Sequence, residues 1–128
     1  MGDTPQQSLY ESIGGEDALI AVVDDLYRRI LADPLLKDFF ASSNMSRLKG
    51  RQVEFFGAAL GGPMTYTGAS MRQAHAGLGL RPEHFEAVAG HLTGALADAG
   101  VPQETIDEIM KLVAPLADEI VTAPAAAG

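Results

Sequence analysis

Residues 44–63 read NMSRLKGRQVEFFGAALGGP, a helix signal with a start and a stop of its own. Asn44, with Ser42 and Ser43 before it, supplies candidate caps, because a short polar side chain can accept from the unpaired backbone N–H groups of a first helical turn. From Met45 the apolar residues Leu48, Phe55, Phe56 and Ala59 fall on one face of a helical wheel, the pattern of an amphipathic helix. Gly61-Gly62-Pro63 ends that helix near Leu60, since glycine leaves helical geometry freely and the residue before proline is pushed out of it. On a wheel of about 100° per residue, Gln52 lies in the middle of the apolar face. A buried carboxamide without partners costs on the order of 1–3 kcal/mol. Gln52 must therefore bond another buried polar group, bond a ligand, or snorkel to a backbone carbonyl.

The same reading extends to both sides. A helix is expected from about Glu16, after Gly14-Gly15, to Leu31, with Leu19, Val22, Val23, Leu26 and Ile30 on one stripe and Asp33-Pro34 as its stop. Tyr27 flanks the stripe, so its ring can pack inward while its hydroxyl seeks a partner, and Gln52 is the obvious candidate. A short segment through Leu35, Leu36, Phe39 and Phe40 leads to the helix already described. Gly61, Gly62, Pro63, Gly68, Gly77 and Gly79 punctuate the next stretch too heavily for a long helix, leaving room for one short turn around Met71 to His75. A third long helix runs from about Pro82 to Ala99 with Phe85, Val88, Ala89, Leu92 and Leu96 on its stripe, and Gly100 stops it. A fourth starts near Pro102 and continues through Ile106, Ile109, Met110 and Val113 to Leu116, weakened or kinked at Pro115. Residues 122–128 read as a frayed Ala-rich tail. No stretch reads as a strand, so the class is all-α, with residues 1–128 as one domain whose core spans about residues 9–121.

Composition narrows the function classes. Seventeen acidic against nine basic side chains, a net charge of -8, argue against nucleic acid as a partner. No apolar run approaches the roughly twenty residues of a membrane span, and Met1 to Ser8 lack a secretory pattern, so a cytoplasmic location without membrane partners is expected. The absence of cysteine removes disulfides, thiolate metal sites and the Cys-based covalent attachment of haem. No phosphate-binding glycine loop, nucleophile elbow or His-Glu-x-x-His pattern occurs. Of the three histidines, His84 and His91 fall on the flank of the third helix's stripe, where partly solvated positions are expected. His75 differs, because it sits in the short Gly-bounded piece between two helices, a setting suited to a lone axial imidazole.

Several separated blocks together resemble group I truncated haemoglobins: Gly14-Gly15, Phe39-Phe40, the run from Asn44 to Gly50, Gln52-Val53-Glu54-Phe55-Phe56, Gly61-Gly62-Pro63, Tyr66-Thr67-Gly68, Met71, and His75 with Gly77. The resemblance implies a two-over-two α-helical sandwich around haem b (iron protoporphyrin IX), with His75 as the metal ligand. It implies Phe40 on the porphyrin face, with Leu48, Phe55, Phe56, Met71, Phe85 and Val88 also against the cofactor. Tyr27 and Gln52 become the distal pair that stabilises charge drawn onto bound oxygen, and Leu48 takes the gate position where larger globins use histidine. Ala59, Val88 and Ala89 resemble the lining of the family's gas tunnel. Two departures touch the cofactor edge and the N-terminus: Leu78 stands where many relatives have a basic residue, which shifts the propionates towards Lys49 and Arg51, and Met1 to Ser8 lack the basic extension of some relatives.

The implied ligands are O2, nitric oxide and carbon monoxide. The leading reading is reversible O2 binding with conversion of nitric oxide to nitrate, Tyr27 and Gln52 being the catalytic pair. Because the chain is too short to carry a flavin domain as well, electrons would come from a separate reductase. The second reading is oxygen storage, delivery or sensing without turnover. A third is a haem-free helical interaction domain in which Gln52 and His75 are merely structural.

Overall fold

In a computed structural model of the chain, the described residues are 8–41, 43–63 and 80–121, residues 119 and 120 by their backbone alone. They form helices α1 (Leu9–Ile13), α2 (Gly15–Leu31), α3 (Met45–Ala59), α4 (Pro82–Asp98), α5 (Gln103–Val113) and α6 (Ala117–Ile120), with 3-10 turns at Lys37–Phe40 and Ala114–Leu116. No strand occurs among the described residues. The expected turn around Met71 to His75 and the tail at residues 122–128 lie outside the described residues.

The long helices begin and end where side-chain chemistry dictates. Of the three candidate caps before α3, Asn44 does the work, its Oδ1 accepting the Arg47 N–H at 3.1 Å. At the other end Gly61 adopts φ +86°, and the Gly62 N–H reaches back to the Gly57 carbonyl at 2.7 Å. A Cβ at Gly62 would come within 2.7 Å of the Tyr10 ring and 2.9 Å of that carbonyl, so the chain turns here only with glycine. Pro82 opens α4 at its first turn, where the missing N–H costs nothing, and Gly100 at φ +85° follows its end. Pro115 acts as expected: α5 tightens into the 3-10 turn and resumes as α6.

One element was not visible in the apolar periodicity. Helix α1 has five residues, too few to display a period, and it is stabilised by a reciprocal cap. The Glu11 N–H donates to Ser8 Oγ at 3.1 Å, and the Ser8 N–H to Glu11 Oε1 at 3.4 Å. Gly14 at φ +115° closes α1 and starts α2.

The layers follow from the stripes. α2 packs on both α3 and α4, and α4 on α5, so the α2–α3 pair lies over the α4–α5 pair. Leu19, Val22, Val23 and Ile30 of α2 are almost wholly enclosed, together with Leu96 of α4 and Ile106 and Ile109 of α5. α1 closes the end of this sandwich, its Tyr10 N–H donating to the Leu60 carbonyl at 3.0 Å. On the outer face Arg29 of α2 pairs with Asp25 and reaches Asp98 of α4, its guanidinium lying over Gly94. Any Cβ at position 94 would meet Arg29 Nη1 at 2.6 Å.

The corner after α2 is held by Asp33. Its Oδ1 accepts the Leu35 N–H at 2.9 Å, and its Oδ2 lies 2.8 Å from His91 Nε2 of α4. The bond to His91 first, and then the Leu35 amide, hold the Asp33 carboxyl below the usual carboxylate range.

Gly62→Ala should destabilise the fold by about 1–3 kcal/mol, as over-packing against a ring and a carbonyl does, seen as a lower urea midpoint. The depressed Asp33 value means that its stabilisation is complete above the unfolded value of about 3.9 and is lost as pH falls through the folded value. Melting temperatures recorded from pH 6 down to pH 3 should thus fall less steeply for Asp33→Asn than for the parent; parallel curves would contradict this.

Candidate functional site

The α2–α3 and α4–α5 layers do not close completely on each other. Between them lies a cavity of about 310 Å³, walled by residues from α2, the 3-10 turn at Lys37–Phe40, α3, α4 and α5. All five phenylalanines of the chain, Phe39, Phe40, Phe55, Phe56 and Phe85, line it. Leucine, isoleucine and valine side chains from α2, α3, α4 and α5 complete most of the rest. Polar side chains are few: Tyr27, Ser43, Gln52 and His84.

Periodicity places Tyr27 and Gln52 together. Tyr27 comes one position after the buried Leu26 of α2, and Gln52 one turn beyond Leu48 of α3, so the packing of these two helices brings both side chains to the same wall. Tyr27 is 5% exposed, and its ring meets Phe40 edge-on at 5.7 Å and 79°. Burial pushes its hydroxyl well above the ordinary tyrosine range, and a hydrogen bond from the Gln52 side chain to the Tyr27 oxygen opposes that rise. Gln52 is therefore satisfied by another buried polar group, the first of the alternatives open to it. The phenol stays protonated at any physiological pH, so it can donate to whatever occupies the cavity.

The site residues expected from sequence divide into three sets. Tyr27, Phe40, Leu48, Gln52, Phe55, Phe56, Phe85 and Val88 all line the one cavity, as does Ala89. His75 and Met71 lie outside the described residues. Lys49, Arg51 and Ala59 are not in the cavity wall. Lys49 sits one residue past Leu48 and so points away from the lining, its Nζ 2.7 Å from Asp24 Oδ1. Arg51 and Ala59 are exposed, which removes Ala59 from any tunnel lining within this cavity.

His84 requires a correction. Its angular distance from the apolar stripe suggested a partly solvated flank, but it is 9% exposed and lines the cavity. The overlooked signal is its place three residues after Arg81, the N-cap of α4, where a side chain can fold back to the cap amide. His91 is half-buried and bonded to Asp33 instead. Among the described residues no cluster of three or more His, Cys, Asp or Glu could hold a metal ion by itself.

The lining fits haem: a mainly apolar, aromatic cavity with a few polar groups suits a flat apolar macrocycle and a small polar ligand. A helical sandwich with such a slot between its layers is the arrangement of a globin fold. The bacterial-like globin family matches residues 8–122. A group 1 truncated hemoglobin GlbN from Mycolicibacterium paratuberculosis is 58% identical over 118 residues, covering 92% of this chain and 87% of that protein. The crystal structure of truncated hemoglobin from Tetrahymena pyriformis, in its Fe(III) form, aligns with a TM-score of 0.87 at 35% identity, covering 90% of this chain and 98% of that one. The 2/2 hemoglobin from Synechococcus, in the cyanomet state with covalently attached heme, aligns at 0.82 and 35% identity over 88% and 95% of the two chains. The chain belongs to the group 1 truncated haemoglobins. Membership implies a haem cofactor and diatomic gas ligands such as O2. No helix among the described residues is long and apolar enough to cross a membrane.

In an alkaline titration followed by tyrosinate absorbance, the parent minus Tyr27→Phe difference should show Tyr27 ionising later than an exposed tyrosine, which titrates near pH 10. A raised folded value means that the linked stabilisation is complete below the unfolded value and fades as pH rises through the folded one. Gln52→Leu, lacking the opposing bond, should delay ionisation further; earlier ionisation than in the parent would refute the assignment of that bond.

Proposed function

We propose that this chain, folded as one domain, binds haem b with His75 as the iron ligand and turns nitric oxide into nitrate at the expense of O2. The observation that carries this reading is the Tyr27–Gln52 pair, the polar couple within a cavity walled by every phenylalanine of the chain. When bound, haem supplies the iron on which O2 and nitric oxide combine, and a separate reductase returns one electron per turnover.

The chain's own residues do the rest. Gln52 donates to the Tyr27 oxygen, which leaves the phenolic proton free to be donated to a diatomic ligand. Because this donor is fixed before the ligand arrives, in surroundings of low polarity, its attraction for a ligand atom carrying partial negative charge is stronger than the same contact in water. Phe40 holds the Tyr27 ring edge-on, and the flanking Leu26 and Ile30 leave the hydroxyl few other directions. Leu48, Phe55 and Phe56 offer bulk water no polar foothold beside the pair. Leu48 itself, at the position facing the cavity one turn before Gln52, offers no imidazole, so the polar work falls to Tyr27.

One hydrogen bond of this kind is worth on the order of 1–3 kcal/mol, or about ten- to a hundredfold in ligand retention. Tyr27→Phe should speed O2 release by that factor in stopped-flow measurements; a release rate equal to the parent's removes the distal role. Under steady reduction, nitric oxide added to the aerobic protein should give nitrate over many turnovers. Nitrate formation limited to one equivalent despite a competent electron donor would leave gas binding without turnover.

A further inference from the structure

His84 carries a donor that the reading above does not use. In the first turn of α4, its Nδ1 accepts the Arg81 N–H at 3.0 Å while its own backbone N–H donates to the Arg81 carbonyl at 3.0 Å. With Nδ1 occupied as an acceptor, the neutral ring carries its proton on Nε2. Phe39 meets the ring edge-on at 4.9 Å and 77°, which fixes the plane in which that proton points. The side chain is about nine-tenths buried and lines the cavity, and no hydrogen bond from Nε2 occurs among the described residues. Among the described residues, then, this Nε2–H meets no acceptor, on a ring that lines a mainly apolar cavity.

The electrostatics around it favour an anionic acceptor. His84 stands in the first turn of α4, at the positive end of the helix dipole, and the basic residue Arg81 is the N-cap of the same helix. Acidic neighbours are present, Glu83 and Glu86 on α4 and Asp38 on the 3-10 turn beside Phe39, with Lys37 next to Asp38, yet none of the four lines the cavity. The other polar lining groups are spoken for or peripheral: Tyr27 and Gln52 bond each other, and Ser43 is exposed. A haem is an apolar disc with two carboxylates on one edge, and an acid edge that enters an apolar slot needs a donor.

We propose that His84 Nε2–H donates a hydrogen bond to a carboxylate of bound haem, making His84 a positioning residue that sets the orientation of the cofactor and slows its loss. The proposal rests on the haem reading above and deepens it. Lys49 and Arg51, expected from sequence to hold this edge, lie outside the cavity wall, whereas His84 lies in it.

The test uses the ferric protein loaded either with iron protoporphyrin IX or with its dimethyl ester, and follows transfer of each to excess apomyoglobin. His84→Phe keeps the aromatic contact with Phe39 and removes the donor; it should lose the free-acid haem about tenfold faster than the parent, while the two proteins release the ester at similar rates. His84→Gln, which keeps an N–H donor on a side chain of similar reach, should recover most of the retention. Equal acceleration for both forms of haem, or His84→Gln as leaky as His84→Phe, overturns the proposal. Should either variant fail to fold, nitrogen-15 NMR of the parent decides. The Nε2 proton of His84 should move downfield with the free acid relative to the ester, and identical shifts refute the bond. A parent that takes up neither form of haem overturns the haem reading itself. A parent that holds haem normally, with His84→Phe releasing both forms at parental rates, overturns only the role of His84.

Discussion

The structure depends on a polar bond placed where water is scarce. The Gln52 amide bonds the Tyr27 phenol across the α2–α3 interface, inside a wall of five phenylalanines and a belt of aliphatic side chains. The buried phenol gains from the pairing, because an unpaired buried polar group costs more than the bond itself contributes. The bond ties α2 to α3 where residue 27 meets residue 52. The caps flank that contact: Gly14 starts α2, Asn44 starts α3, and Gly61-Gly62 turns the chain back under Tyr10.

The charged contacts have a different task. The Lys49–Asp24 pair and the bridge from Arg29 to Asp25 and Asp98 lie at the outer edges of the helix contacts, where solvent screens them and each adds little to stability. Their arrangement sets orientation more than energy. Arg29 spans from α2 to α4 with its guanidinium lying over Gly94, so a missing side chain on one helix and a long one on the other make a matched feature.

Most of the helical plan was legible in the sequence because three of its long helices show a sustained apolar period and carry their own stops. α2, α3 and α4 begin and end within a residue of the positions expected from Gly14-Gly15, Asn44, Gly61-Gly62, Pro82 and Gly100. Helix α1 escaped because five residues cannot display a period, and its signature was the Ser8–Glu11 cap alone. The cavity side of α3 was legible for Leu48, Gln52, Phe55 and Phe56, since a wheel reports which face a residue shares. It was not legible for Ala59, which shares that face but lies at the exposed end of the helix. His84 was misplaced for a related reason: a wheel treats every turn alike, yet a first-turn residue bends back to the cap and can turn into the core from the flank. Lys49 and Arg51 were assigned to a cofactor edge, and neither is in the cavity wall.

Pro115 gives the last stretch of chain a part in shaping the binding space. The helix that ends at Val113 tightens by one turn, and both Val113 and the Leu116 that follows it face the cavity. Along a regular helix, residues three apart diverge by about 60° around the axis, whereas in the tighter turn they eclipse. An imino acid with no contact assigned to the site thereby aims two aliphatic groups at the same enclosed volume. The dimensions of that volume at this end are written in backbone curvature, and a residue of ordinary helical habit in place of the ring would redraw them without touching a single wall side chain.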